Sequence, residues 1–560
     1  MNPKLKTKPL LTALLAALLP LSLNTVAQVT PNAGSILREV RPLEPQLPSP
    51  SGTGLEMEAG DTALPQTAPF PVQQLQISGN TLFDTATLHA LVADAEGRSL
   101  TLVELGAISG RITAFYRARG YPLARAIIPA QTIRDGVVAI EVVEARYGDT
   151  VLDNHSKVRD SLLEATLAPL QLGEVIGGSE LDRSLLLLSD IPGVAVNATL
   201  KPGQAVGTSD LLVTTSATPA ISGQLVLDGY GNRYTGRERV GGTLNINNPL
   251  RHGDVISIDG LSSGSGLNYG RAGYESLLNG YGTRLGGAYS ALSYELGEQL
   301  DVLDAHGTAT VVSVWGRQPL LRSRSSNLYL QIQYDQLQLR DRVDTSSIRT
   351  DRHLDNWSAG LTGDARDALW AGGITLWNLG VTAGQVDFDD EVAQSIDAVS
   401  ASSRGGFTRW NGNVARLQRL SSRNSLFLSL TAQWSDRNLD SSQKMSAGGP
   451  YSVRAYDTGA VSGDRGYLGT AEWRHDLGSA WAGQWQTVAF VDHAQVTVNQ
   501  NPWVRGDNHI QLSGAGAGLS WFGANGFSAR ASVAAPIGAR PQPVENSSST
   551  RFWIEAGKRF

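Results

Sequence analysis

Hydrophobic and polar residues alternate one by one along the chain from about Ile221 to Phe560. Because successive side chains of a β-strand point to opposite faces of a sheet, this alternation predicts strands with one apolar and one polar face. In one segment an apolar set alternates with a mostly polar set, Leu328, Leu330, Ile332 and Tyr334 against Tyr329, Gln331, Gln333 and Asp335. The pattern favours an all-β region over residues 218–560.

The length of this region predicts how many strands it holds. A strand that crosses a lipid bilayer needs about 9–11 residues, and each strand also needs a connection to the next. About 340 residues then accommodate about 16 antiparallel strands at roughly 21 residues each, although about 12 or about 18 strands also satisfy the arithmetic. We therefore expect a transmembrane β-barrel of about 16 antiparallel strands.

A compact α+β unit is predicted before the barrel, over residues 72–147. Thr101 and Glu104 form the capping-box pattern that begins a helix, and apolar residues recur at helical spacing after them. Gly120 is well placed to end this helix. A strand and a shorter helix come first in the unit, and two strands close it: Leu123–Ile128 and Val137–Val143. The predicted order is β-α-α-β-β.

The same order repeats at once over residues 148–217. Its two helical patterns stop near Pro169 and at Ile191-Pro192-Gly193. Its closing strands are predicted at Val194–Leu200 and Leu211–Thr215. Two tandem units of one type, with little linker between them, suggest an arm that presents another polypeptide.

The amino-terminal region has the pattern of an exported protein. Residues 1–27 combine a basic start, a short apolar run from Leu10 to Leu23 and a small-residue cleavage pattern, which predicts a signal peptide. The apolar run is shorter than the roughly 20 residues of a membrane helix, and a buried amino-terminal helix is the alternative. Residues 28–71 are predicted as a short helix near Ile36 followed by a proline-rich linker.

Composition narrows the class of protein further. An exported chain with 61 glycines, no cysteine and 41% hydrophobic residues fits an outer-membrane barrel, and a secreted soluble β protein is the alternative. The net charge of −6 is too small to predict a nucleic-acid partner. The eight histidines lack metal-ligand spacing, and no glycine-rich phosphate-binding motif is present. We predict no metal, no cofactor and no enzymatic activity.

One segment, residues 446–470, is too long and too rich in glycine for a tight turn between strands. Long loops inside a compact fold are usually functional or disordered. This loop contains a glycine pair and a short motif around one arginine, namely Gly448, Gly449, Val453, Arg454, Ala455 and Tyr456. Asp492, on a strand with Phe490 on the same face, offers a carboxylate for Arg454 if that strand faces the barrel interior. The alternative is a solvated arginine and an unrelated pore-lining aspartate.

These motifs resemble a known family. Val453-Arg454-Ala455-Tyr456 is similar to its V-R-G-Y loop, and Phe490-Val491-Asp492-His493-Ala494 to its F-x-D-x-G strand, with alanine at each glycine position. Residues 116–124 (YRARGYPLA) and 228–236 (DGYGNRYTG) also match. The chain resembles the outer-membrane transporters of two-partner secretion, of the haemolysin activation/secretion type, in the superfamily that combines POTRA domains with a barrel.

The resemblance implies a fold, a location and a function. Two α+β POTRA domains in the periplasm would precede a barrel in the bacterial outer membrane and its lipid. They would capture an unfolded client, a large secreted β-rich protein such as an adhesin, haemolysin or contact toxin, which then passes through the barrel. Arg454 and Asp492 would hold the long loop inside the lumen, and the short amino-terminal helix would plug the pore.

The last residues of the sequence lead to a further prediction, which concerns assembly of the barrel. Phe560 shares one face of a predicted strand with Phe552 and Ile554. We expect this terminal aromatic to be an assembly signal for the barrel-assembly machinery, and an ordinary final strand is the alternative. Two other functions stay open on the residues alone. One is an outer-membrane protein assembly or insertion factor of the same superfamily, and the other is a passive porin.

Overall fold

The computed structural model of the protein describes residues 30–40, 54–57, 65–541, 544 and 549–560. The predicted signal peptide and most of the predicted linker lie outside these residues. Helix α1 (Ala33–Glu39) begins with a capping box in which Asn32 and Ser35 bond each other's backbone amides. Strand β1 (Gly54–Met57) follows it. None of the helices in the described residues is long and apolar enough to cross a bilayer.

The first α+β unit contains its elements in the predicted order, with an added pair of short strands. The elements are β2 Phe70–Val72, β3 Gln74–Ser78, α2 Thr85–Ala90, β4 Arg98–Leu100, α3 Leu102–Ala118, β5 Arg125–Ile127 and β6 Val137–Val143. Strand β5 is shorter than the segment Leu123–Ile128 that the alternation predicts. The sheet order is β3-β6-β5, and β2 pairs with β4 separately.

Helix α3 supplies one side of the core of this unit. Its capping box is formed, because Glu104 accepts from the amide of Thr101 at 2.8 Å and donates its own amide to the Thr101 hydroxyl at 3.2 Å. The helical spacing of Leu105, Ile112 and Tyr116 places all three on one buried face.

Glu144 lies buried after β6 and ties three parts of the unit together. Its carboxylate accepts hydrogen bonds from the amides of Thr81 at 2.8 Å and Leu82 at 2.9 Å, and from the Tyr116 hydroxyl at 2.7 Å. Burial alone raises the pKa of this carboxyl, but the hydrogen bonds outweigh burial and leave the pKa of Glu144 below its ordinary value.

The second unit repeats the architecture. Its elements are β7 Arg146–His155, α4 Asp160–Leu167, α5 Gly178–Ser189, β8 Val194–Pro202 and β9 Thr208–Ala217. Its sheet has the order β1-β8-β9-β7, so a strand from the segment before the first unit completes it. The sequence pattern did not predict this added strand.

The remainder of the chain forms a closed barrel of sixteen strands, which confirms the expected architecture. The strands up to the longest loop are β10 Ile221–Asp228, β11 Arg239–Asn247, β12 Val255–Ser262, β13 Leu267–Leu277, β14 Arg284–Glu295, β15 Ala305–Arg322, β16 Ser326–Val343, β17 Ile348–Asp367, β18 Gly373–Phe388, β19 Gly405–Arg419 and β20 Asn424–Ser435. Helix α6 (Glu391–Ala398) lies between β18 and β19.

Two short strands within the longest loop, β21 Met445–Ala447 and β22 Val461–Gly463, pair with each other outside the barrel sheet. The wall continues with β23 Arg465–Ala480, β24 Gly483–Thr497, β25 His509–Gly523, β26 Phe527–Pro536 and β27 Arg551–Arg559. Each barrel strand pairs antiparallel with its neighbours, and β27 pairs with β10 to close the cylinder. All backbone edges of the sheet are therefore paired, as a lipid environment requires.

Part-way along β16, the apolar residues change from the outer face of the barrel wall to its inner face. Ile332 is 49% exposed on the outer face, as its apolar character predicts for a lipid-facing residue. Nearer the end of the strand, Leu337 and Leu339 point inward and are buried, whereas Gln336 and Gln338 point outward and are exposed. The strand therefore extends beyond the apolar band of the wall, and its inner face becomes part of a core inside the lumen.

The second α+β unit contacts the barrel end at which β10 begins, here called the arm end. The Asp190 carboxylate accepts two hydrogen bonds from Arg322, both at 2.8 Å, and the Asp190 carbonyl accepts one from Arg284 at 2.9 Å. Arg324 also bonds Asp182 on α5 at 2.8 Å. The arm is thus held at the mouth of the barrel by arginines near the strand ends.

Glu144 makes the stability of the first unit depend on pH. Since its pKa is lower in the folded protein, its contribution is present above the ordinary glutamate pKa of 4.5 and is lost as pH falls through the lower folded-state value. At pH 7 we expect Glu144→Gln to speed amide exchange of residues 79–82 about tenfold or more, because a hydrogen bond to a charged group contributes about 1.5–3 kcal/mol.

Hydrogen–deuterium exchange of the full-length protein, followed by mass spectrometry, measures this effect. Glu141→Gln is the matched control, because Glu141 is exposed on β6. The difference between the two variants should shrink as pH approaches 4, and equal exchange at pH 7 would contradict the assigned role of Glu144.

Candidate functional site: a loop held inside the barrel

The candidate site is the loop between β20 and β23, residues 436–464. It leaves the wall at the far end of the barrel, opposite the arm end, and turns back into the lumen. Its start precedes the predicted 446–470 segment, and residues 465–470 belong to strand β23 rather than to the loop. The difference arises because glycine-rich sequence continues into the wall, where Gly466 and Gly469 are strand residues.

Arg454 and Asp492 meet on the inner wall. Asp492 is fully buried, and its carboxylate accepts from the Arg454 side chain at 2.9 Å (Nε) and 2.7 Å (Nη2). The amide of Arg454 donates to the same carboxylate at 3.1 Å, and the Thr470 hydroxyl donates at 3.0 Å. The two side-chain bonds use the planar fork of the guanidinium, a geometry that lysine cannot supply.

Arg454 also contacts groups that surround the pair. Its Nη1 donates to Glu472 at 2.6 Å, and Glu472 in turn accepts from Arg474 at 2.6 Å. The guanidinium carbon lies 3.4 Å from the centre of the Phe490 ring, a close cation–π contact. The Trp553 indole donates to the carbonyl of Arg454 at 2.8 Å. Two arginines and two carboxylates balance their charges, so no net charge is buried.

The residues beside Arg454 are buried as a group. They pack against inner-wall residues of β24 and β25, including Ala494 and Leu512. The buried loop residues are Val453, Ala455 and Tyr456. The loop is therefore held by apolar contacts as well as by its arginine.

Ala455 fits because the opposing wall residue is a glycine. A Cβ atom added to Gly514 would lie 2.4 Å from the Cβ of Ala455, far inside contact distance. Ala455 has no positive φ, so the alanine adopts ordinary backbone here. The positive φ angles lie earlier in the loop, at Gly448 (103°) and Gly449 (107°), where a side chain would be strained.

The side chains of β24 alternate between the inner and outer faces of the wall as the sequence predicts. Phe490 and Asp492 point inward and are buried, whereas Val491 is 51% exposed on the outer face. His493 lies on that outer face as well, where its Nδ1 is 2.8 Å from the hydroxyl of Ser513. This neighbour gives the imidazole a polar partner on a largely apolar surface.

Sequence reasoning missed four of the residues around Arg454. Thr470 and Glu472 lie directly across the sheet from Asp492 and Phe490 on the neighbouring strand β23. Their identification needs the register of β23 against β24, which contains a bulge between Asp476 and Gly478. Gly514 lies directly across from Asp492 on the other neighbouring strand, β25, and Trp553 comes from β27, further round the barrel.

Helix α1 also lies inside the lumen, at the far end. The amide of Ala33 donates to Asp341 at 2.7 Å, and Ile36 is buried among the inner-wall residues of β14, β15 and β16. Arg352 joins this helix site to the loop, because it bonds Asp341 at 2.7 Å and Asp440 at 2.6 Å. The helix and the loop thus both occupy the lumen.

A cluster of possible ligands lies outside the site, at the far end of the barrel. Asp304, His306 and Asp344 place their ligand atoms within 4.8 Å of one another. The start of β15 pairs with the end of β16, which brings Asp304 and His306 close to Asp344, so the linear spacing of histidines did not reveal the cluster. The three side chains are exposed or half-exposed, and we assign no ion to them.

Known proteins resemble this chain over most of its length. The profile of the haemolysin secretion/activation protein family ShlB/FhaC/HecB matches residues 207–521, and the ShlB-type POTRA profile matches residues 70–145. The heme/hemopexin transporter HuxB of Haemophilus influenzae is 28% identical over 552 residues, 96% of this chain and 97% of the relative.

Two further similarities involve transporters named CdiB. That of Dickeya dadantii is 25% identical over 440 residues, 74% of this chain and 73% of the relative. The solved structure of CdiB from Escherichia coli superposes with a TM-score of 0.68 at 22% identity, and the match covers 90% of this chain and 93% of that one. At this identity the superposition supports the fold.

The contact between Ala455 and Gly514 predicts a reciprocal pair of variants. Gly514→Ala should displace the loop, because its new Cβ meets that of Ala455 at 2.4 Å. Adding Ala455→Gly removes the clash and should restore the loop. Trypsin cleavage after Arg454 in the detergent-solubilised protein, located by mass spectrometry, reports the displacement. Gly412→Ala is the matched control, since a Cβ there meets nothing within 4 Å.

The position of helix α1 in the lumen leads to a second prediction, which concerns the conductance of the channel. Replacing residues 33–39 by a glycine–serine sequence of the same length should enlarge the single-channel conductance in planar bilayers, because the apolar contacts of Ile36 in the lumen are lost. The equal length keeps the following chain in place. Conductance equal to that of the wild type would show that α1 does not obstruct the pore.

Proposed function

The chain belongs to the haemolysin secretion/activation protein family ShlB/FhaC/HecB, and we propose that it captures an unfolded partner protein with its POTRA units and exports it through its barrel. It is an outer-membrane transporter of the two-partner secretion type. The barrel lies in the outer membrane, with the POTRA units in the periplasm. The arm end of the barrel is therefore periplasmic, and the far end faces the outside.

The observation that carries this proposal is a wide closed barrel whose lumen is occupied by segments of its own chain. Barrels of about 16 strands enclose an aqueous channel. Here α1 and the loop occupy it, and a cavity of about 830 Å³ remains between α1, the loop and the outer rim. An extended polypeptide can pass when these segments move, without any change in the hydrogen-bonded wall.

The contacts that hold the two segments suit reversible movement. The Ala33 amide joins α1 to Asp341 of the wall by a hydrogen bond, and Arg352 of the neighbouring wall strand pairs with the same carboxylate. Water in a hydrated channel can replace a hydrogen bond of this kind at little cost. Removing one partner of a buried ion pair costs about 3–5 kcal/mol. Arg454 and Asp492 accordingly define the resting position of the loop, and their pairing sets the position to which it returns.

The client is a large secreted β-rich protein, in the class of adhesins, haemolysins and contact toxins. The relatives support this class, since their names include a heme/hemopexin transporter and a hemolysin transporter. Folding of the client outside the cell would make its movement unidirectional. Insertion of the transporter itself would use the barrel-assembly machinery, with Phe560 as the recognised residue. Phe560 is 57% exposed and its backbone bonds that of Gly223 at the seam of the barrel.

Secretion of a client tests the proposal. The candidate client is any large exported protein that a neighbouring reading frame encodes, and it is measured in the medium and on the cell surface. Arg454→Ala and Asp492→Ala should each abolish most secretion, and Arg454→Lys should retain only part, because lysine keeps the charge and lacks the fork. The amount of each transporter in the outer membrane is measured in parallel.

Arg404→Ala is the matched control, since Arg404 lies on a far-end loop, where it forms a partly exposed ion pair with Asp387 at the end of β18. It should secrete as the wild type does. Normal secretion by both Arg454→Ala and Asp492→Ala would refute the role of the pair. A wild-type transporter that secretes no client would refute export of that client and favour the assembly function.

A further inference from the structure

A groove runs along the outer, lipid-facing side of β23. Gly469 and Ala471 form its floor, because they extend little from the outer face of the strand. Larger residues on the neighbouring strands β20 and β24 form its sides, namely Leu428, Leu430, Val491 and His493. The groove has a volume of about 410 Å³ and a mostly apolar lining. On a wall that faces lipid, such a space accommodates a hydrocarbon chain rather than water.

The level of the groove in the membrane follows from the exposed aromatic residues around it. Tryptophan and tyrosine concentrate where a membrane barrel meets water on either side. Here Trp434 and Tyr467 lie near the far end of their strands, whereas Trp481 lies in the turn at the arm end. Gly469 is the next outward-facing residue after Tyr467 on β23. Since the far end faces the outside, the groove opens to the outer leaflet.

Arg465 is the first residue of β23 and lies on the same outward face as Tyr467 and Gly469. Its guanidinium carbon is 5.9 Å from the centre of the Trp434 ring. Within the described part of the chain, no hydrogen bond or ion pair engages this guanidinium, and its Nε is buried. A buried donor of a charged group is costly without an acceptor. The phosphate of a lipid headgroup supplies that acceptor at the boundary between lipid and water.

Arg416, near the other end of the groove, has the opposite arrangement. It lies on the outer face of β19 toward the arm end, and its two Nη atoms donate to the carboxylate of Asp367 at 2.8 and 3.0 Å. The charge of Arg416 is therefore balanced within the protein. Of these two arginines, only Arg465 is available to an anion from the membrane, and it lies at the outer-leaflet end of the groove.

Polar side chains lie between Arg465 and the apolar floor of the groove. The His493 ring is 5.8 Å from the ring of Tyr467, whose hydroxyl donates to Gln495 at 3.1 Å. The imidazole uses its Nδ1 for Ser513, which leaves Nε2 for a further hydrogen bond. Polar groups that face hydrocarbon are costly without partners. A headgroup with hydroxyl and carbonyl groups as well as a phosphate provides such partners.

We propose that this groove binds lipopolysaccharide, the phosphorylated glycolipid of the outer leaflet. Arg465 binds a phosphate of its lipid A part, and His493 lies beside the sugar. One acyl chain lies over Gly469 and Ala471. A phospholipid also carries a phosphate and acyl chains, but it offers fewer hydroxyl and amide groups to the polar side chains beside Arg465. The site is on the outer wall, so it does not depend on which protein passes through the lumen.

Two substitutions test the two halves of the site separately. Arg465→Gln removes the charge, and its matched control is Arg340→Gln, since Arg340 is exposed on the outer face of β16 at the far end. Gly469→Leu fills the groove, and an added Cβ there meets only the carbonyl oxygen of Ser429, at an ordinary contact distance of 3.8 Å. Gly260→Leu is its matched control, because Gly260 faces lipid on β12 and an added Cβ meets nothing within 4 Å.

The first readout is lipid binding to the purified full-length protein in detergent, measured by native mass spectrometry. We expect the wild type to bind bisphosphorylated lipid A at least tenfold more tightly than dephosphorylated lipid A, because an arginine–phosphate bond is charge-assisted. Arg465→Gln should bind the two forms equally, and Arg465→Lys should retain part of the difference. Gly469→Leu should bind both forms at least tenfold more weakly, while the two control variants bind as the wild type does.

Three results of this titration would overturn the proposal. The first is equal affinity of the wild type and Arg465→Gln for bisphosphorylated lipid A. The second is tighter binding of phosphatidylglycerol than of lipid A, which would assign the groove to a phospholipid. The third is displacement of lipid A by inorganic phosphate alone, which would leave the apolar floor without a role. Heat-modifiable migration in gel electrophoresis verifies that the barrel of each variant is folded.

The second readout keeps the protein in its own membrane. A photoreactive phenylalanine derivative in place of Ala471 should cross-link to lipopolysaccharide in intact cells, and adding Arg465→Gln should remove most of this product. The same derivative in place of Gly260 reports general contact with the outer leaflet, so its cross-link should not change with Arg465→Gln. An Ala471 cross-link that Arg465→Gln leaves unchanged would overturn the assignment of the phosphate to Arg465.

Discussion

Backbone hydrogen bonding in lipid is the constraint on which the structure depends. No water is available in the hydrocarbon region to bond an unpaired amide or carbonyl, so the sheet has to close on itself. With sixteen strands the closed sheet surrounds a space too wide for its own side chains to fill. Pairing of every backbone amide and carbonyl of the sheet thus creates a wide channel. Passage through this channel has to be restricted by other parts of the chain.

The chain controls the channel with segments that are independent of the wall. Neither the loop nor α1 contributes a strand to the barrel sheet, and their contacts to the wall combine ion pairs, hydrogen bonds and a few apolar side chains. Phe490 and Asp492 show this combination, because one stacks on the guanidinium of Arg454 and the other accepts from it. The wall can remain rigid while its contents move, since no hydrogen bond between barrel strands depends on these segments.

Local pattern predicted most of the architecture. Period-two alternation indicated the barrel, and the capping box at Thr101 correctly placed the start of α3. The inward face of β24 followed from parity, because adjacent side chains on a strand alternate. Such features depend on neighbours in sequence, and a single sequence is enough to read them.

Features that depend on register could not be read in this way. If β23 and β24 paired symmetrically about their turn, Asp492 would face Ala471; the bulge at Asp476 shifts the register by one residue and brings Thr470 opposite instead. A one-residue slip exchanges the two faces of a strand, so the environment of Arg454 depends on that bulge. Pairing of β1 with β8 was missed for the same reason, because its partner lies some 140 residues away along the chain.

The pairing of β27 with β10 has a consequence for how the barrel folds. Residues 224–228 meet residues 555–559 across the seam, so the two edges that close the cylinder are more than 300 residues apart in the chain. Every intermediate that lacks this contact carries two unpaired edges, and neither edge is tolerated in hydrocarbon. Closure is therefore the last and slowest pairing to form, and the nascent sheet needs a protected environment until its two ends meet.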